Sequence, residues 1–169
     1  MPGPLAAPAD EAVTQLYLRH YRPLVRLAGL LVRDEATAEE VVQDCFIALH
    51  GRWHRLHEEG KAPAYLKQAV VNRSRSVLRH RSVADRNPPE PAPDMPSAEY
   101  GAIALLERSA VISALRSLPD RQRHALVLRY YADLTETQIA EAMGISRGAV
   151  KSHTSRGMSS LRAVLEQTA

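Results

Sequence analysis

The sequence predicts an all-α protein built as two small helical domains joined by a proline-rich linker. Three observations lead there. Apolar residues recur at helical spacing through most of the 169 residues, and β-branched residues occur singly rather than in alternating runs. Helix-opening capping patterns stand ahead of two of the apolar stripes. Five of the 11 prolines (Pro88, Pro89, Pro91, Pro93 and Pro96) crowd together and remove backbone donors too often for a helix or a sheet ladder.

Taken in order, Pro2, Pro4 and Pro8 mark residues 1–11 as a disordered tail. Residues 12–83 then predict three helices. The first shows Leu16, Leu24, Leu27 and Leu31 on one face. The second opens at Thr37-Ala-Glu-Glu40, where Thr37 and Glu40 are placed to satisfy orphan N–H groups reciprocally. Val41, Val42, Cys45, Phe46 and Leu49 continue it as a core-facing stripe, with Glu39, Glu40, Gln43 and Asp44 left to the other side. The third runs from about Ala64 to Arg81, with Pro63 suited to its first turn and Leu66, Ala69, Val70, Val77 and Leu78 as apolar positions. Residues 84–100 read as the linker. Beyond it, 101–169 form the second domain, beginning with a helix over 101–117 that ends before Pro119 and another over about 120–131.

The sharpest local pattern follows. Thr135-Glu-Thr-Gln138 is a second capping box, Gly144 suits the positive φ of a turn, and Ser146 can cap the helix after it. Apolar residues fall on Ile139, Ala140, Met143, Ile145 and Val150, the spacing of a helix-turn-helix whose second helix enters the major groove. Exposed positions on that helix are Arg147, Lys151, Ser152, His153, Thr154, Ser155 and Arg156, and no acid occurs between Ser146 and Ala163. Ser152, His153 and Thr154 suit base edges, whereas Lys151 and Arg156 equally suit phosphate. A helical hairpin with a merely solvated basic face is the plainer alternative.

Net charge is only +3, yet it is unevenly spread. Residues 10–44 hold four Arg against seven acids, and residues 52–86 hold nine Lys and Arg against three. Nucleic acid would favour the second stretch and be repelled by the first, which suits a protein partner with a basic surface. The lone Cys45 allows no internal disulfide, no apolar run is long enough to cross a bilayer, and the N-terminus lacks a secretion signal. A soluble, cytoplasmic, nucleoid-associated protein without membrane insertion is the expectation.

ATAEEVVQDCFIALHGRWHRL followed by PAYLKQAVVNRSRSVLRHR resembles region 2 of bacterial sigma-70 family factors. SLPDRQRHALVLRYYADLTETQIAEAMGISRGAVKSHTSRGMSSLR resembles region 4, and the two together resemble the compact extracytoplasmic-function (ECF) group. The resemblance implies a promoter-specificity factor that binds core RNA polymerase and directs initiation by recognising −35 and −10 elements. Glu40, Gln43 and Asp44 would dock on the clamp helices of the beta-prime subunit, with the beta flap as a further contact. The 52–64 loop and Lys67, Asn72, Arg73, Arg75 and Arg79 would engage the −10 element, Asn72 at a flipped-out base. Residues 146–162 would read the −35 element. An anti-sigma factor is a possible partner, and no cofactor, no metal and no enzymatic activity of its own are implied. GAVKSHTSR is also similar to the DNA-binding end of LuxR-type regulators, which keeps an ordinary helix-turn-helix regulator in view, as does a partner-binding helical adaptor.

Other candidates weigh less. His50, His54 and His57 have a spacing that would gather a metal on one helix face, but Gly51 and the loop character weaken helical continuity. Cys45 reads as a small core residue. Neither a nucleophile elbow nor a phosphate-cradling glycine loop occurs. Only Trp53 and Tyr65 lie where a separated strand would pass, which predicts weak melting and strict promoter demands. The 19 Arg against 3 Lys suit phosphate and guanine contacts and also reflect a GC-rich, actinobacterial-like composition.

Overall fold

The computed structural model describes residues 9–56, 58–84 and 102–168. Among them are seven α-helices and no strand, as expected: α1 (Ala9–Val32), α2 (Glu35–Arg52), α3 (Ala62–Ala84), α4 (Ala102–Ser117), α5 (Asp120–Tyr130), α6 (Glu136–Met143) and α7 (Arg147–Thr168). They fall into two compact units, α1–α3 and α4–α7. Helix α1 starts inside the segment expected to be tail, and α3 runs to the first residue of the expected linker. The rest of that tail, up to residue 8, and the rest of that linker lie outside the described residues.

In the first unit each helix buries one stripe against the other two. Leu24, Leu27, Ala28 and Leu31 of α1 meet Ala38, Val41, Val42, Cys45, Phe46 and Leu49 of α2, and Leu66, Val70 and Val71 of α3. These are the expected stripes with Ala28, Ala38 and Val71 added, while Leu16, Ala69, Val77 and Leu78 are only half-buried. Helix α1 continues through Pro23, which cannot donate to the preceding turn. It ends where Arg33 adopts a φ of 62°, and Arg33 N–H closes on Gly29 O at 2.9 Å.

The start of α2 corrects the expectation at Thr37. Asp34, not Thr37, is the N-cap: its carboxylate accepts from Ala36 N–H at 3.2 Å and from the Thr37 hydroxyl. Thr37 therefore serves the cap instead of being it, one turn inside the helix. Arg81 locks this corner to α3, donating to Val32 O at 3.0 Å and to Thr37 Oγ1 at 2.7 Å, with Asp34 Oδ2 at 3.4 Å.

In the second unit α5 is the central element. Its residues Arg123 to Leu128 are all buried, which requires neighbours on every side, and α6 and α7 pack on it. Arg123 is itself only 1% exposed, with Asp120 Oδ1 at 2.9 Å taking its charge and Leu118 O at 3.4 Å taking a further hydrogen bond. Helix α7 passes α5 at Gly157, which is buried.

Candidate nucleic-acid interface

The α6–turn–α7 geometry follows from three local choices. Thr135 caps α6 in a complete capping box: Gln138 N–H donates to Thr135 Oγ1 at 3.2 Å, and Thr135 N–H donates to Gln138 Oε1 at 2.8 Å. Gly144 takes a φ of 65°, the left-handed conformation that ends the helix without a Cβ penalty. Ser146 Oγ then accepts from Ala149 N–H at 3.1 Å and starts α7. Ile139, Ala140, Met143 and Val150 are buried beneath the turn, and Ile145 is half-buried.

This fixes the face α7 presents. Arg147, Lys151, Ser152, Ser155 and Arg156 are exposed. His153 and Thr154 are only half-buried rather than open, because they lie three and four residues beyond buried Val150, on the edge of the core stripe that continues to Gly157. Ser152 is the better placed of the three expected base-edge groups. Glu136, in the first turn of α6, has its Oε1 at 3.2 Å from Arg147 Nε and at 3.9 Å from Lys151 Nζ. Two of the expected DNA-binding cations thus share one acid.

The first unit carries the other charged surface. Glu40 and Gln43 on α2 are exposed, and Asp44 is partly so. On α3, Asn72 and Arg79 are exposed and share a face by their seven-residue spacing, with Gln68 Nε2 donating to Asn72 Oδ1 at 3.2 Å. Arg75 is half-buried. Lys67 is half-buried; burial first, then the Arg19 and Lys67 charges, push the His20 imidazole below its ordinary value. Arg73 is exposed and reaches to α2, where it donates to Asp44 Oδ2 at 2.7 Å. One of the expected −10 cations is therefore already paired with an acid of α2. Between α2 and α3 lies a groove of about 230 Å³ lined by Thr37, Glu40, Val41, Asp44, Arg73, Val77 and Arg81.

Trp53 does not stand in a strand path. It is 5% exposed, in a short 3-10 turn after α2, and belongs to the core, so its expected role as a stacking platform is withdrawn. Tyr65 is half-buried. Of the three spaced histidines, His50 holds Asp10 of α1 at 2.6 Å, and His57 lies outside the described residues. Among the described residues no group of three ligating side chains gathers, and no helix is long and apolar enough to cross a membrane. Cys45 is buried, and that burial pushes its thiol up to about 11.

Two family descriptions match the chain: "Sigma-70 region 2" over residues 16–83 and "Sigma-70, region 4" over residues 114–163. An "RNA polymerase sigma-E factor" of Streptomyces avermitilis is 31% identical over 143 residues, covering 85% of this chain and 79% of the relative. The "ECF RNA polymerase sigma factor SigM" of Mycobacterium tuberculosis is 29% identical over 154 residues, covering 91% and 77%. Among solved structures, the sigma factor RpoE from Bartonella quintana, in complex with the anti-sigma factor NepR, aligns with a TM-score of 0.67 at 24% identity, over 90% of this chain and 96% of that one. CnrH, in complex with the cytosolic domain of CnrY, aligns with a TM-score of 0.57 at 23% identity, over 95% and 96%.

Proposed function

Because the chain belongs to the sigma-70 family of RNA polymerase sigma factors, in its ECF group, we propose that it brings core polymerase to promoters by reading a −35 element with α7 and a −10 element with α3. The observation that carries this reading is the helix-turn-helix: a glycine turn and two caps hold Arg147, Lys151, Ser152, Ser155 and Arg156 on the open face of one helix. Side chains on such a face reach base edges, while the cations beside them hold phosphate and set register.

In the first unit the acids of α2 dock on a basic polymerase surface, the clamp helices of beta-prime, with the beta flap as a second contact for the other unit. Asn72, on the outward face of α3, receives a base taken out of the stack, and Arg79 supports the strand. Unstacking a base costs a few kcal/mol, which pocket contacts must offset. With Trp53 in the core, no exposed indole contributes the roughly 1–3 kcal/mol of a stacked base, so melting depends on a good match at both elements. Bond formation belongs to the polymerase, and the chain acts as an initiation factor. Its surfaces also suit a protein antagonist of the kind seen bound to RpoE.

Transcription from promoters of the source genome, with purified core polymerase and this chain, tests the reading. Stimulation lost on substituting either element is expected, with Asn72→Ala impairing −10 use but not core binding. No stimulation from any promoter would overturn it.

A further inference from the structure

Resting on that reading of α2 and α3, we infer that Asp44 is an internal counter-ion for Arg73, and that core polymerase, by taking the Asp44 carboxylate, releases Arg73 to promoter DNA. The two residues belong to surfaces with different partners, yet in the free chain they satisfy each other. Arg73 Nη2 donates to Asp44 Oδ2 at 2.7 Å across 29 residues of sequence, and the side chains are 54% and 37% exposed. A guanidinium engaged by a carboxylate is a poorer ligand for phosphate, and a carboxylate so engaged is a poorer ligand for a basic clamp.

The groove around the pair makes the exchange specific to Arg73. It contains a second guanidinium, Arg81, but that one is tied to a backbone carbonyl, Val32 O, and to Thr37 and Asp34. Releasing Arg81 would break the α1–α2 corner. Among the described residues Arg73 has no such anchor, and it bonds Asp44. Glu40 shares the groove and makes no bond to either arginine, so it stays available for docking throughout. Exposed ion pairs hold weakly, which makes this pair easy to exchange and limits the effect to about fivefold. Coupling of this kind is reciprocal: if polymerase frees Arg73 for DNA, DNA tightens polymerase binding by the same factor.

The test uses the full chain and a fluorescein-labelled single-stranded DNA oligonucleotide of mixed sequence, with binding followed by anisotropy at low salt. Asp44→Asn should bind the strand about three- to fivefold more tightly. Glu39→Gln removes an equal charge from α2 without touching Arg73, and reports the general electrostatic gain alone. Placed on Arg73→Gln, the Asp44→Asn substitution should gain no more than Glu39→Gln does. Equal gains from Asp44→Asn and Glu39→Gln, or a full Asp44→Asn gain surviving in Arg73→Gln, would overturn the exchange while leaving the proposed function intact. Strand binding by none of the proteins, with circular dichroism showing them folded, would overturn the reading of α3 and the exchange together.

Discussion

Gly157 of α7 lies so close to Leu126 of α5 that a Cβ at residue 157 would stand 3.0 Å from Leu126 Cδ1 and 3.3 Å from the Gln122 carbonyl oxygen. Leu126 is 2% exposed and cannot swing into solvent, and a backbone oxygen cannot yield at all cheaply. Overpacking of this kind costs about 1–3 kcal/mol, while replacing a helical glycine recovers up to about 1 kcal/mol. Gly157→Ala should therefore destabilise the second unit by about 1–2 kcal/mol. Faster amide exchange across Arg123–Leu128, with the first unit unchanged, is the readout. Unaltered exchange would mean that α7 shifts without cost.

Asp34 links the α1–α2 corner to α3. The Thr37 hydroxyl, the Ala36 and Thr37 N–H groups and Arg81 hold its carboxyl below the usual carboxylate value, against a smaller opposing push from burial. A depressed value stabilises the fold fully above the unfolded-state titration, and the benefit is lost as pH falls through the folded value. Asp34→Ala should cost about 1–2 kcal/mol at neutral pH, the range for removing an N-cap. In thermal melts the gap between the two proteins should narrow in acid. A gap independent of pH would point to packing rather than charge.

Cys45 should be chemically quiet. Burial raises its thiol to about 11, the neighbouring Asp44 adds to that, and Arg73 opposes it. Two units above the ordinary value reduces the thiolate fraction roughly a hundredfold. Iodoacetamide should label the native chain very slowly and the urea-unfolded chain at the rate of a free cysteine. Fast labelling of folded protein would contradict the packing described for α2.

Glu136 engages Arg147 and Lys151, the two cations that the proposed −35 reading gives to DNA. Glu136→Gln should tighten duplex binding severalfold at low salt, and the gain should fade as salt rises. Weaker binding by that variant would assign Glu136 the opposite role, orienting the two cations for the groove.

Much of this could be read from residue order because it is local. The Thr135 box, Gly144 and Ser146 each act within four residues of themselves, and all three sit as expected. Thr37 misled for a local reason as well: it has the right spacing to Glu40, but Asp34 stands three residues upstream with a better acceptor. The remaining differences are tertiary. No nearby residue signals that Trp53 folds into the core, that Gly157 is a crossing point, or that Arg73 faces across to α2 while Asn72 faces out. Side chains one residue apart differ by about 100° around a helix, so one basic run divides between partners on different sides.

The buried indole supplies something an exposed one would not. The chain contains one tryptophan, Trp53, and it sits in the core of α1–α3. Its emission is an intrinsic reporter for that unit alone, silent to the helix-turn-helix, which contains neither tryptophan nor tyrosine. Fluorescence and far-ultraviolet circular dichroism recorded on one sample would thus give two melting curves, one for the α1–α3 unit and one for the whole helix content. Their separation measures how independently the two halves of an initiation factor come apart, with no label and no truncation.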